Sequence, residues 1–418
     1  MWRQSSFRFP GYFSVVAVAV CIGWQPASVS WSAANESAAP NTVYWDGEHL
    51  AALRAGGLEK DSRYKEFVKR LRKNAQISRK RGPYSVVDSD EVAPSGDEHD
   101  YVSYARYWWP NPDTTNGLPY IRRDGETNRE LLAKGDREPI GMLYDDVETL
   151  ALAGYLLNDE PSAKHAALLV RTWFLEPATK MNPHLRYGQA VPGRNDGRGS
   201  GIIDTRHFIR VLDAVALLME TDAWTDSDHA GLIAWMKQYF DWLQHDPMGK
   251  DESSERNNHG TWYDAQLAAI AMFVGERDTA REIVESAKHK RIARCIEPDG
   301  QQPEEIDRTK GLHYCVFNMS AMAVLARIGE HVDEDIWNYE TEDGRSLRRG
   351  LEFVVPYLLG EKEWPHEQIE EMSVSPTDMG LFYLSARRYD EPRYLRAVKK
   401  ELRDPDKFQY APLLFPGG

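Results

Sequence analysis

The stretch YCVFNMSAMAVLARI occupies residues 314–328 and is almost without charge. Arg327 is its one charged residue, and the amide of Asn318 and the hydroxyl of Ser320 are its other strongly polar groups. If the stretch is helical, apolar side chains cover every face of the helix, which is typical of a helix buried on all sides. We therefore predict that residues 314–328 form a central helix of a large α-helical structure.

Three further segments are apolar nearly all round, and they are Val147–Leu157, Val211–Met219 and Leu267–Val274. Other segments carry a single apolar stripe with the i, i+3, i+4, i+7 spacing of an amphipathic helix, as at Ala280, Ile283, Val284 and Ala287. The two kinds of segment tend to alternate along the chain, which indicates an outer and an inner layer of helices. Since no strand-rich block is evident, the sequence predicts an all-α fold. We expect an α/α toroid, an incomplete barrel of helix hairpins around a central cleft.

The beginning of the 418-residue chain is typical of a secretion signal. Arg3 and Arg8 precede an apolar run from Phe13 to Ile22 that is too short to span a bilayer. We predict a signal peptide over residues 1–34 and a periplasmic or secreted protein. Cys21 leaves a lipoprotein anchor as the alternative, which Val20 disfavours because such sites usually need a small residue there.

The remaining residues, 35–418, are expected to form one catalytic domain without a membrane span, and we expect a monomer. They contain two cysteines, Cys295 and Cys315, too few for a disulfide framework. Two buried thiols are the simpler interpretation, although the sequence leaves their pairing open.

The formal net charge of −14 argues against nucleic acid as a partner, because phosphate binding requires a basic surface. It does not exclude an anionic polysaccharide, since a cleft can be locally positive in an acidic protein. Arginine is dense in the irregular segments of this chain, at positions 106, 122, 123, 186, 194, 198, 206, 256 and 308. Scattered surface arginines remain the alternative interpretation.

An aromatic segment, residues 101–125, interrupts the helical pattern. Sugar rings stack on aromatic planes, and the planar guanidinium of arginine suits a carboxylate because it donates two parallel hydrogen bonds. Tyr104, Trp108 and Trp109 with Arg122 nearby are therefore candidates for a sugar-binding wall. For any one of these aromatic residues, a place in the core is an equally good interpretation.

Two other segments carry residues suited to acid–base chemistry. Residues 256–263 read RNNHGTWY, a poor helix interior that predicts a turn leading into a helix, and His259 titrates near neutral pH. Residues 308–314 read RTKGLHY and lead into the central helix, so that cations flank Tyr314 and favour its phenolate. If either His259 or Tyr314 is considered alone, a structural role is the alternative to a catalytic one.

In chain order, the motifs are YWWPNP (107–112), GLPYI (117–121), RRDG (122–125), WFL (173–175), MNP (181–183), YGQA (187–190), GSGIID (199–204), NNHGTWYD (257–264), RT (308–309) and Tyr314. This ordered set, which spans most of residues 101–318, resembles the alginate lyase superfamily, in the branch of polysaccharide lyase families five and thirty-eight. The GTWY continuation after His259 is more similar to family thirty-eight, which includes enzymes acting on glucuronan as well as on mannuronate-rich alginate.

The resemblance implies a polysaccharide lyase that cleaves a β-1,4-linked polyuronate by β-elimination. We expect no cofactor and no metal, because the histidines and carboxylates show no tight ligand spacing and a tyrosine-based elimination needs no metal. Position by position, the residues around the cleaved uronate would be Asn258, His259, Arg308 and Tyr314. The residues expected to bind the rest of the anionic polysaccharide are Tyr104, Trp108, Trp109, Arg122, Tyr187, Gln189, Arg198, His207 and Trp262.

The elimination removes a proton alpha to a carboxylate, so hydrogen-bond donors to that carboxylate are the largest requirement. Asn258 is the first candidate for this donor, with Arg308 assisting it or holding Tyr314 in place. If the C5 proton and the leaving oxygen lie on one face, Tyr314 would take and return the proton. If they lie on opposite faces, His259 would be the base and Tyr314 the acid.

Two rival functions stay open at this point. A glycoside hydrolase on the same fold needs two carboxylates beside the bond, and Asp145, Asp146, Glu304 and Glu305 are candidates. A carbohydrate-binding protein without activity would keep the aromatic wall but would not need His259 and Tyr314.

Overall fold

The computed structural model describes residues 39–398 and 410–416, and these residues are mostly α-helical. The predicted signal peptide, residues 1–34, lies outside the described residues. The α-helices, in chain order, are α1 (Gly47–Ala55), α2 (Lys65–Ser78), α3 (Arg129–Leu132), α4 (Arg137–Leu157), α5 (Glu160–Phe174), α6 (Phe208–Leu218), α7 (Asp226–His245), α8 (Pro247–Ser254), α9 (Asn258–Val274), α10 (Arg277–Ala287), α11 (Ala293–Cys295), α12 (Pro303–Ile306), α13 (Gly311–Val332), α14 (Leu347–Leu358), α15 (Met379–Arg388), α16 (Arg393–Ala397) and α17 (Ala411–Leu414).

The four segments that are apolar all round lie in α4, α6, α9 and α13, as predicted. Consecutive helices pack as hairpins, for example α4 against α5 and α9 against α10, and α13 packs on both α9 and α10. Most residues of α13 are buried on every side, whereas α10 buries only Ala280, Val284 and Ala287. The sequence pattern therefore predicted correctly which helices are enclosed and which present one face to solvent.

Four short strands form two small sheets that the sequence pattern did not predict. β1 (Val102–Tyr104) pairs in parallel with β4 (Tyr187–Ala190), and β2 (Trp108–Trp109) pairs antiparallel with β3 (Ile121–Arg122). Strands of two to four residues leave too little periodicity to be recognised. Their effect is to fold the aromatic segment into a wall at one side of the helices.

The segment before α1 is tied to the core by one buried carboxylate. Asp213 in α6 accepts hydrogen bonds from the backbone N–H groups of Val43 (2.5 Å), Tyr44 (3.0 Å) and Trp45 (2.7 Å). Burial raises the pKa of Asp213 to about 7 although all three donors favour the charged form. The carboxylate therefore satisfies three buried backbone donors at once.

We expect Asp213→Ala to lower the free energy of unfolding by about 3 kcal/mol or more, because each buried N–H left without an acceptor costs ~1–3 kcal/mol. Denaturant unfolding followed by circular dichroism measures this change. Asp241→Ala, which removes a carboxylate that is 77% exposed, is the matched control and should change stability little. Equal stability of the two variants would contradict the anchoring role of Asp213.

Cys295 and Cys315 are both free and buried, which agrees with the simpler of the two interpretations. Within residues 39–398 and 410–416, no helix combines the length and the hydropathy needed to cross a bilayer.

Candidate active site

A cleft of about 280 Å³ opens where the aromatic wall meets the amino-terminal ends of α9 and α13. Eight of the thirteen predicted site residues line it, and they are Trp108, Arg122, Gln189, Arg198, Asn258, His259, Arg308 and Tyr314. The structure thus brings the four predicted catalytic side chains together, from the start of α9, the start of α13 and the segment just before α13.

The start of α9 is built for close approach to its neighbours. Asn257 caps the helix by accepting a hydrogen bond from the backbone N–H of His259 at 2.9 Å. A Cβ atom on Gly260 would lie 2.2 Å from the carbonyl oxygen of Glu255 and 2.3 Å from the guanidinium of Arg291. Only glycine fits there, which explains its place directly after the histidine. Because the first residues of α9 line the cleft, the positive end of the helix dipole lies there and favours an anionic ligand.

Asn258 is held by a buried carboxylate. Its backbone N–H donates to Oε1 of Glu305 at 2.5 Å and its side-chain Nδ2 donates to Oε2 of the same residue at 2.7 Å. Burial raises the pKa of Glu305 to about 7, although both bonds from Asn258 act against the shift. The two bonds fix the orientation of the Asn258 side chain at the edge of the cleft.

His259 is paired with a second buried carboxylate, Glu252 of α8. The Nδ1 atom of His259 lies 2.7 Å from Oε1 of Glu252, and the imidazole is about one quarter exposed (24%). A carboxylate accepts, so Nδ1 carries the proton and Nε2 is left for the cleft. Burial lowers the pKa of His259, but the charge and the hydrogen bond of Glu252 outweigh burial and the net shift is upward.

Tyr314 is in contact with a second phenol and with a guanidinium. Its hydroxyl lies 2.7 Å from the hydroxyl of Tyr107, and the guanidinium carbon of Arg308 lies 3.9 Å from its ring centroid. Burial raises the pKa of Tyr314, Tyr107 adds to the increase, and the opposing effect of Arg308 is smaller. Arg308 and Arg106 favour the phenolate, as expected of nearby cations, but burial outweighs them and the net shift of the pKa is upward. At neutral pH Tyr314 is a protonated hydrogen-bond donor.

Arg308 is itself fixed by Asp124 from the aromatic segment. Its Nε and Nη2 atoms both donate to Asp124, at 3.1 Å to Oδ2 and 2.8 Å to Oδ1. The Thr309 hydroxyl and backbone N–H donate to the same carboxylate. Burial of Asp124 is outweighed by Arg308, and the pKa of the carboxyl falls well below its usual range. The pair joins the aromatic wall to the start of α13 and places the guanidinium against Tyr314.

The cleft is strongly positive although the chain is acidic. Among the described residues that line it, six are arginines, at positions 106, 122, 137, 198, 206 and 308, and one is a carboxylate, Glu255. Asp124 and Asp204 pair with three of these arginines from behind the surface. The expected local positive charge is therefore present, and it suits an anionic polymer.

Comparison with known proteins agrees with this geometry. The family model described as alginate lyase matches residues 85–364. A crystal structure of an alginate lyase from Bacteroides ovatus is 37% identical in sequence, with 90% of this chain and 99% of that chain covered and a TM-score of 0.83. The chain belongs to the alginate lyase family. This membership makes it a polysaccharide lyase.

More distant structures share the fold of this lyase. Alginate lyase A1-III from Sphingomonas species A1 is 15% identical, with 85% and 91% of the two chains covered and a TM-score of 0.54. A variant of A1-III complexed with a tetrasaccharide is 14% identical, with 85% and 90% covered and a TM-score of 0.54. These neighbours are α/α toroids, so the predicted fold class is confirmed. A search of curated protein sequences finds no match.

Three residues predicted to bind substrate lie in the aromatic wall or beside it but do not line the cleft of the lyase. The Tyr104 hydroxyl donates to Glu91 at 2.8 Å and its ring lines a separate groove. The Trp109 Nε1 atom donates to the carbonyl of Glu126 at 3.0 Å. The ring of Tyr187 contacts the ring of His184, 6.5 Å away. For Trp109 the alternation of side chains along β2 explains the placement, since its neighbour Trp108 points to the cleft.

Two further predicted residues, His207 and Trp262, line a larger cavity of about 450 Å³ behind the cleft, which we call the axial cavity. Trp262 is only 4% exposed and packs on Phe317 with ring centroids 5.3 Å apart. Burial lowers the pKa of His207 well below its usual value, so the imidazole is neutral. We place the chemistry of the lyase in the smaller cleft because the acid–base groups converge there.

Four residues that support the site were not predicted as site residues. Tyr107 and Asp124 belong to the motifs YWWPNP and RRDG, but the spacing of the motifs does not show which residues they contact. Glu305 was considered only as a hydrolase carboxylate, and Glu252 was not singled out. Finding them requires knowing which positions, distant in the sequence, come into contact after folding. A single sequence does not contain that information.

The four carboxylates considered for a hydrolase do not form a pair across the cleft. Asp145 and Asp146 are engaged by Arg210 and Arg81, away from it, and Glu304 is exposed on α12. Only Glu305, among the four candidates, lies beside the cleft, where it is occupied by Asn258.

Proposed function

We propose that this lyase cleaves a β-1,4-linked polyuronate, mannuronate-rich alginate or glucuronan, by β-elimination and leaves 4,5-unsaturated uronate ends. The single observation that carries the proposal is the convergence of Asn258, His259 and Tyr314 in one arginine-lined cleft. The name of the Bacteroides ovatus relative, an alginate lyase, supports alginate over glucuronan.

In the proposed reaction, the C5 proton leaves, a double bond forms between C4 and C5, and the bond from C4 to the glycosidic oxygen breaks. The Asn258 amide donates to the carboxylate of the cleaved uronate and stabilises the charge that develops when C5 loses its proton. Tyr314, protonated in the free protein, returns a proton to the leaving oxygen. His259 either takes the C5 proton through Nε2, while Tyr314 donates its own proton to the leaving oxygen, or stabilises the carboxylate as a cation. In the second case Tyr314 first gives its proton to solvent, and the phenolate then takes the C5 proton and passes it to the leaving oxygen.

A substrate panel tests the proposal. Purified protein is incubated with polymannuronate, polyguluronate and glucuronan, while ultraviolet absorbance and new reducing ends are followed in parallel. We expect absorbance and reducing ends to rise together, because each elimination creates one conjugated double bond and one reducing end. Reducing ends without absorbance would identify a hydrolase, and no change on any of the three polymers would refute the proposed substrate class.

The pH profile of kcat/KM for the Glu252→Gln variant tests the role of His259. The neutral amide keeps the shape of Glu252 but removes the charge that raises the pKa of His259, so this pKa falls. If neutral His259 is the base, the acidic limb of the kcat/KM profile moves to lower pH. If the imidazolium stabilises the carboxylate, activity requires the charged form and the alkaline limb moves to lower pH.

We expect a displacement of about 1 pH unit, since an opposite charge in contact shifts a pKa by ~1–3. The limb that moves assigns the role of His259. Profiles of the parent protein and of Glu252→Gln that superimpose would show that His259 does not titrate in the reaction.

We further propose that the lyase acts in the periplasm or outside the cell. The basic and apolar character of residues 3–22 supports export. Expression of the full chain in a bacterial host, with the mass of the exported product measured, tests this, and retention of residues 1–34 in the cytoplasm would contradict it.

A further inference from the structure

Arg206 lies at the boundary between the cleft and the axial cavity, and it lines both. Its Nη1 atom donates to the carbonyl of Ile203 at 3.1 Å, and its guanidinium carbon lies 5.3 Å from the ring centroid of Phe317. Its Nε atom is buried without a hydrogen-bond partner among the described residues. Most of the donors of this guanidinium are therefore not used by the protein.

No carboxylate of the described part of the chain forms an ion pair with Arg206. The nearby carboxylate of Asp204 is already occupied by Arg137, by Nε2 of Gln189 at 3.0 Å and by the hydroxyl of Ser103 at 2.7 Å. Burial, followed by the charge of Arg137, lowers the pKa of Arg206 to about 10. The guanidinium is charged at neutral pH but poorly compensated.

Arg206 is partly buried, and a cation that loses part of its hydration without gaining a partner is unfavourable for the fold. Such a residue is expected where a ligand supplies the missing anion. Phe317, on which Arg206 stacks, follows Tyr314 by three positions in α13, or about 4.5 Å along the helix at 1.5 Å per residue. Arg206 thus lies against the helical turn that follows Tyr314, and both residues line the cleft.

We propose that Arg206 binds the carboxylate of a uronate next to the one that is cleaved, so that the cleft selects runs of consecutive uronates. This inference rests on the proposed function and adds a specificity determinant to it. The cleaved uronate has its own donors in Asn258 and His259, whereas Arg206 offers free N–H groups to a second carboxylate.

The test compares Arg206→Met with the parent protein on polyuronate and on partly carboxyl-reduced polyuronate, in which the remaining uronates are isolated and flanked by neutral sugars. The cleaved residue must be a uronate, because elimination needs its carboxylate. On the partly reduced polymer, the sugar next to the cleaved uronate is therefore neutral. We expect kcat/KM on polyuronate to fall about tenfold or more, the loss typical of one hydrogen bond to a charged group. On the carboxyl-reduced polymer the two proteins should differ by less than about twofold. An equal loss on both polymers, or no loss on either, would overturn the proposal.

Stability supplies a second readout. Because Arg206 lacks a partner, Arg206→Met should leave Tm unchanged or raise it, whereas Arg137→Met, which strips the buried Asp204 of its cation, should lower Tm. A variant Arg206→Met that fails to fold would show a structural role and contradict the proposal. Arg186→Met, which removes a cation that is 56% exposed and outside the cleft lining, controls for net charge and should keep kcat/KM within about twofold.

Direct binding measurements distinguish a failure of the proposed role of Arg206 from a failure of the proposed function. Calorimetric titration of a uronate tetrasaccharide into Tyr314→Phe, and into the same variant with Arg206→Met, needs no turnover. Weaker binding by the double variant supports the role of Arg206 even if no polymer is cleaved. Equal affinities of the two variants would exclude it.

Discussion

Tyr314→Phe is expected to abolish the ultraviolet-detected product, with kcat reduced by about 10²- to 10⁴-fold, the usual contribution of a positioned acid or base. The substitution removes only the hydroxyl, which lies 2.7 Å from that of Tyr107 and is a protonated donor at neutral pH. Without it, the leaving oxygen departs without a proton whichever group takes the proton from C5. Initial rates from absorbance and substrate affinity from calorimetry separate the loss of chemistry from a loss of binding.

Tyr389→Phe is the matched control for this substitution. It also deletes one hydroxyl, which donates to the carbonyl of Trp337 at 2.7 Å away from the cleft, and it should keep the parent rate. A Tyr314→Phe variant that remains fully active would remove Tyr314 from the mechanism.

His259→Ala is expected to lower kcat by about 10²- to 10³-fold, whether the imidazole is the base or stabilises the carboxylate. The substitution also leaves Glu252 buried with no partner on Oε1, and Oε2 already has none within the described residues. We therefore expect a lower Tm as well, because an uncompensated buried charge is unfavourable.

The double variant His259→Ala, Glu252→Gln separates the two effects. It removes the buried charge, so Tm should recover while activity stays low. His245→Ala, at an imidazole that is 70% exposed, is the control for loss of a histidine and should be fully active. Recovery of activity together with Tm would mean that His259 serves only to stabilise the fold.

The helical core could be predicted from the sequence because its physical cause is local. A run such as residues 314–328 is apolar on every face, and only an enclosed helix accommodates it. The β1–β4 and β2–β3 pairings escaped prediction because strands of two to four residues show no periodicity, and β1 and β4 also lie far apart in the sequence.

The same distinction applies to the site. Motifs located Asn258, His259, Arg308 and Tyr314, since the types of residue and their neighbours are visible in the sequence. The carboxylates that hold three of them, Glu305, Glu252 and Asp124, contact their partners only after folding. Trp262 shows where a motif misleads, because His259, three positions before it, lines the cleft whereas Trp262 is buried against Phe317 and lines the axial cavity.

The most direct test of elimination in this cleft is a proton NMR time course of the purified lyase with polymannuronate. The appearance of one vinyl proton at C4 for each bond broken, with no such signal from Tyr314→Phe, is the predicted result. Bond cleavage that yields only saturated ends, or vinyl signals of equal intensity from Tyr314→Phe, would contradict the mechanism.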